Sequence, residues 1–236
     1  MTGAFLVAVA CLLAGPVADP PTVPNPGGEL ERDLALLERA ARERVSLSLR
    51  DTTLGEAIVA IGKDAGIETR GDWAMLGLIG ADPRDAIDLE MADRSPLAAL
   101  EALAIRISRD QDRPTVEAHA GQLLLTLPLA LPRLVATATY GVDDLVAPAH
   151  AGVAGGEDPA ASREGRMAEL VELLQAHVTP EAWTDLGGDI GRLGVAEGRL
   201  VVTATPSMHR ALRGLLEGLR EGLPGTARVD LTVYRL

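Results

Sequence analysis

The sequence predicts an α+β protein built as two small domains, with short mixed sheets and packed helices. Two observations carry this. Stretches of strict apolar/polar alternation, the mark of half-buried strands, recur between stretches with apolar residues three and four apart. Helical stretches open on Asp, Ser, Thr or Pro, the residues that start helices. The 236 residues leave room for two small domains. Hydrophobic content of 47% suffices for a core, which must be aliphatic, because Phe5, Trp73, Tyr140, Trp183 and Tyr234 are the only aromatics.

Residues 1–18 read as a signal peptide. The run AFLVAVACLLA (4–14) is uncharged and apolar, too short to span a bilayer but suited to a signal-peptide core, with cleavage after Ala18. Export, to the periplasm, is therefore expected, with no membrane span once the signal is removed. Cys11 is the single cysteine, so no intramolecular disulfide forms. Its surroundings depart from a lipoprotein box, and lipid anchoring through Cys11 is not expected. Residues 19–44 read as a Pro-rich linker and an amphipathic helix with Leu30, Leu34, Leu37 and Ala41 on one face, a face that needs a partner surface.

The first domain, 45–129, reads as βαββαββ. Val45, Leu47 and Leu49 alternate with polar residues as a strand. Asp51-Thr52-Thr53 caps a helix with Leu54, Ala57, Ile58 and Ile61 inward, which Gly66 ends before a strand starting at Ile67. Ile87, Leu89 and Met91 alternate next, and Ser95-Pro96 opens a helix with Leu97, Leu100 and Ala104 inward. PTVEAHAGQLLLTLP reads as a hairpin turning at Ala120-Gly121.

The second domain, 130–236, reads as β-α-β-β-α-β. Leu134, Ala136, Ala138 and Tyr140 share a strand face. Residues 147–165 lack periodicity and read as a mobile loop. A helix follows with Met167, Leu170, Val171 and Leu174 inward, then two short strands joined by Ala196-Glu197-Gly198. Pro206 opens another helix, and ARVDLTVYRL (227–236) alternates as a closing strand. In HVTPEAWTDLGGDIGRL (177–193), His177 ends a helix, Pro180 to Trp183 form a packed turn with Trp183 buried, and Gly187-Gly188 release the chain into the hairpin.

VSLSLRDTTLGEAIVAIGKDAGI, IDLEMADRSPLAALEALA and VEAHAGQLLLTLP together resemble the short N-terminal domain shared by secretins and TonB-dependent transducers. Leu54, Ala57, Gly66, Ile67, Leu97 and Leu100 fall on its packing positions. GRLVVTATPSMHRALRGLLEGLR is similar to the periplasmic N-domain units of secretins, and YGVDDLV with VTPEAWTDLGGDI resembles a variant in exported planctomycete-type proteins of undefined role. No stretch of these 236 residues reads as a secretin barrel, so none is expected. The resemblance implies a non-catalytic, exported interaction or assembly module of the cell envelope. Its partner would be a secretin-like component or another copy of the chain, as a homo-oligomer. The alternative it implies is a signalling adaptor like the N-terminal extension of TonB-dependent transducers.

The residues give chemistry little footing. A net charge of −12 argues against nucleic-acid partners, which need clustered cations, and against anionic lipid surfaces. The glycines match neither the dinucleotide nor the P-loop spacing, and Leu186-Gly187-Gly188-Asp189 lacks the continuation of a cyclic-dinucleotide synthase. His119, His150, His177 and His209 have no spacing that pairs them as metal ligands, so no metal or cofactor is expected. No serine sits in a nucleophile elbow. An enzyme would have to gather Asp143, Asp144 and His177 in one cleft; a capping turn accounts for the two acids instead, and a helix end for His177. Ligand stacking on Trp73 or Trp183 is the weaker alternative to packing.

Overall fold

A computed structural model describes residues 26–109, 113–147 and 159–222. Helices and strands alternate in small sheets, an α+β architecture as the sequence predicts. The expected signal segment with Cys11, the stretch containing His150 and the expected strand over 227–236 lie outside the described residues.

Helix α1 (Pro26–Arg42) precedes the first unit. Strand β1 (Val45–Thr53) runs into α2 (Leu54–Lys63) through a capping box. There the Thr53 hydroxyl accepts from the Glu56 N–H and the Glu56 carboxylate accepts from the Thr53 N–H, so two helix-end donors are satisfied reciprocally. Leu54, Ala57, Ile58 and Ile61 are buried as their spacing requires. The return from α2 is tight. A Cβ on Gly62 would lie 2.1 Å from the Ile67 carbonyl oxygen, so only glycine allows this approach. Strand β2 is shorter than expected, Thr69–Gly71.

Between β2 and β3 (Ala86–Arg94) the chain makes the short helix α3 (Trp73–Leu76) and a 3-10 turn, Gly77–Ile79, which the alternation did not reveal. Asp72 caps α3, and Leu76 and Ile79 plug the core. Helix α4 (Pro96–Ile107), capped by Ser95, follows, and then the hairpin β4 (Thr115–His119)–β5 (Gln122–Thr126). Positive φ at Ala120 (52°) and Gly121 (79°) supplies the two-residue turn. β1 pairs antiparallel with β3, while β5 sits between β2, parallel to it, and antiparallel β4.

The second unit has the antiparallel sheet β6 (Ala136–Gly141), β8 (Arg199–Ala204), β7 (Arg192–Ala196), in that spatial order. Helices α5 (Asp143–Val146), α6 (Pro159–His177) and α7 (Pro206–Glu221) complete it. The expected loop over 147–165 is corrected here: Pro159 to Gly165 belong to α6. Proline fits a first helical turn, where its missing N–H costs nothing, and Ala and Arg continue a helix well. Trp183 is fully buried as expected, its indole N–H donating to the Val178 carbonyl at 2.6 Å.

Two cores result, one from residues 37–127 and one from 142–216. Helix α1 is more than a linker. It packs on α4, β4 and β5 of the first unit and on β6 and α7 of the second. Leu30 and Leu34 are buried yet belong to neither core, so the apolar face of α1 fills the seam between the units.

Candidate functional site

Two features stand out once the units are assembled: a buried polar joint in the seam, and one open side of the second sheet. The joint is built where α7 meets β4, β6 and α1. Glu117 is an outward residue of β4 by alternation, yet it is only 1% exposed, because α7 covers that face. Its carboxylate accepts the Ser207 backbone N–H at 3.1 Å and the Ser207 hydroxyl. Ser207 is the second residue of α7, so an acid of one unit caps a helix of the other, where unpaired N–H groups favour anions. Burial pushes the Glu117 carboxyl above its ordinary range, and the bonds from Ser207 and Thr205 oppose that only in part.

His209, two residues further along α7, is completely buried. Its Nε2 lies 3.0 Å from the Ala136 carbonyl oxygen, which can only accept, so Nε2 carries the proton. Nδ1 then accepts from the Tyr140 hydroxyl at 2.7 Å. This is a neutral imidazole with both nitrogens engaged, and burial holds its pKa below the ordinary 6.5. Burial also pushes the Tyr140 phenol up, so it is a poor source of phenolate. Above Tyr140, 5.9 Å from the ring centroid, sits the Arg213 guanidinium, which grips Glu31 of α1 with two nitrogens. That grip lowers the Glu31 carboxyl and raises Arg213. The arrangement ties three elements together, with both His209 nitrogens and the Tyr140 hydroxyl engaged in hydrogen bonds.

Compared with models of known families, with curated proteins and with solved structures, the chain matches none of them. Function must be read from geometry.

The residues singled out in the sequence are dispersed. Asp143 pairs with Arg163 near the start of α6, and Asp144 pairs with Arg220 of α7 at 2.6 Å, which lowers the Asp144 carboxyl. His177 closes α6, its Nδ1 2.8 Å from the Leu173 carbonyl. It lies fourteen residues, about 21 Å, along the helix from the partner of Asp143. Asp143, Asp144 and His177 do not share a cleft. His119 is exposed at the end of β4, and Asp189 is exposed before β7. Half-buried Trp73 lies over Gly71, where a Cβ would come within 2.8 Å of its ring. Among the described residues no three His, Cys, Asp or Glu side chains group as metal ligands. No helix among them is long and apolar enough to cross a membrane.

The second sheet is covered by helices on one face. Across it run the inner rows Ala138–Val202–Leu193 and Tyr140–Leu200–Val195. The opposite face carries Thr137–Thr203–Arg192 and Thr139–Val201–Gly194, and Thr137, Thr139, Arg192 and Gly194 are exposed. At its edge, β7 ends in a two-residue turn with positive φ at Glu197 (51°) and Gly198 (72°). The closing pair Ala196–Arg199 of such a hairpin is hydrogen-bonded. By alternation, Arg192 and Gly194 also bond to β8, whereas Leu193 and Val195 turn their N–H and C=O away from it. Gly191 shows the same parity: its N–H donates to Ala182 at 2.8 Å, and its carbonyl accepts from Thr184 at 2.9 Å, on the side away from β8.

Proposed function

We propose that the protein is a non-catalytic, exported interaction or assembly module of the cell envelope, of the kind its likeness to secretin periplasmic domains implies. The observation that carries the reading is the second sheet: among the described residues its helices occupy one side, while the opposite face is exposed and β7 is an edge strand with no further strand paired to it. Sheets of this form bind proteins by strand addition or by stacking, and native folds otherwise blunt such edges. The polar joint adds to it. Glu117 ties the first unit to α7, and Arg213 ties α7 to α1, so a partner would meet a fixed surface.

Fractionation with a crosslinking pull-down tests the proposal. The protein is expected in the periplasmic or envelope fraction, crosslinked to a secretin-like component or to itself. A cytoplasmic protein, or one that stays monomeric and recovers no envelope protein, overturns it.

A further inference from the structure

The open edge has a floor, and the floor has a charge. Val195 is 50% exposed at the end of the inner row, and the N-terminal half of α6 lies alongside β7. Val195, Met167, Arg163, Glu164, Glu197 and Gly198 line a groove between strand and helix, with Val195 and Met167 as its apolar part. Arg163 is engaged by Asp143. Glu164 and Glu197 are exposed at the rim and make no ion pair among the described residues.

We infer that this groove takes an extended segment of a partner protein as an added strand on β7, with an apolar side chain between Val195 and Met167 and basic side chains on either side. Resting on the interaction reading above, this names its edge and the chemistry of its partner. The outward N–H and C=O groups of Leu193 and Val195 lie about 7 Å apart, the repeat along a strand, and offer four backbone hydrogen bonds. The bonds of Gly191 to Ala182 and Thr184 close the same edge at its N-terminal end, so the added strand must lie over Leu193 to Val195. Charge selects the occupant. A basic segment meets both acids, whereas an antiparallel second copy would bring the Ala182–Thr184 segment, which covers its own edge at Gly191, against the turn at Glu197.

The test uses the full chain and two capped peptides, Arg-Val-Arg-Val-Arg and Glu-Val-Glu-Val-Glu, titrated with amide NMR. The basic peptide is expected to bind saturably and to slow amide exchange at Leu193 and Val195, and the acidic one is not. Val195→Pro removes one outward donor while leaving the bonds to β8, and should weaken binding about fivefold, the worth of one hydrogen bond. The doubly substituted Glu164→Lys, Glu197→Lys protein, changed only at the exposed rim, should weaken it further without altering the fold. Equal binding of the two peptides, protection elsewhere, no binding at millimolar peptide, or indifference to the rim substitutions would overturn the assignment. The assembly reading has its own outcome. An envelope complex untouched by Val195→Pro loses this edge and keeps assembly. Basic-peptide binding at β7 in a protein that joins no envelope complex keeps the edge and loses assembly.

Discussion

Replacing Glu117 with alanine removes the one side chain with which the first unit caps a helix of the second. The Ser207 N–H, part-buried where α7 meets β4, is then left without its acceptor at 3.1 Å. Losing a helix cap costs about 1 kcal/mol, and stranding a buried donor costs about 1–3 kcal/mol. Releasing a carboxyl that burial disfavours returns part of this. A net loss of about 2 kcal/mol is expected, roughly 4–8 °C in Tm for a chain of this size. Glu117→Gln keeps the shape and one acceptor, and should lose about 1 kcal/mol at low pH. The pH course sharpens the test. Burial raises the folded-state pKa of Glu117 above the ordinary 4.5, so above that pH the native state holds more protons than the unfolded chain. The contribution of Glu117 is therefore fully present below about 4.5 and declines as pH rises through the folded-state value. The gap between wild type and Glu117→Gln should close as pH rises from 4 to 8, measured by urea unfolding with circular dichroism. A gap that widens, or a Glu117→Ala protein within 0.5 kcal/mol of wild type at every pH, refutes the picture of a buried carboxyl at the joint.

Other substitutions probe the rest of the frame. His209→Ala empties a fully buried site and strands the Tyr140 hydroxyl and Ala136 carbonyl, costing about 3 kcal/mol in urea unfolding. Because the His209 pKa is lowered, its contribution is complete above about 6.5 and falls as pH drops toward the folded-state value, a loss the alanine variant should not show. Gly188→Ala would drive a Cβ to 2.4 Å from the Ala182 and Glu181 backbone, so a loss of at least about 2 kcal/mol and a displaced Trp183 emission band are expected. Trp183→Phe should cost about 1–3 kcal/mol, and a change below 0.5 kcal/mol would mean the indole N–H bond to Val178 is not formed.

Much of this fold was legible because local chemistry and tertiary demand agreed. Thr53, Ser95 and Thr205 cap the helices they precede, and the inward positions of α2, α4 and α6 are the apolar ones. Trp183 could be read as buried because a lone large aromatic next to Thr-Pro and Gly-Gly belongs to a packed turn. The joint was illegible for the opposite reason. Glu117 alternates with Val116 and Ala118 as a solvent-facing strand residue would, and only the arrival of α7 buries it. His209 looked like an ordinary first-turn residue, since its partners Tyr140 and Ala136 are about seventy positions earlier. Helix α3 escaped notice because four residues are too few to show a period. The start of α6 reads as loop in the sequence because a proline followed by small residues looks the same in both settings.

The proposed role is to hold another protein in the envelope. The most direct measurement is sedimentation of the tagged full-length chain from crosslinked envelopes, beside the same chain carrying Val195→Pro. The wild-type chain is expected to sediment as a discrete complex above monomer mass, and the variant to shift toward monomer. A wild-type chain that sediments wholly as a monomer from crosslinked envelopes contradicts this role.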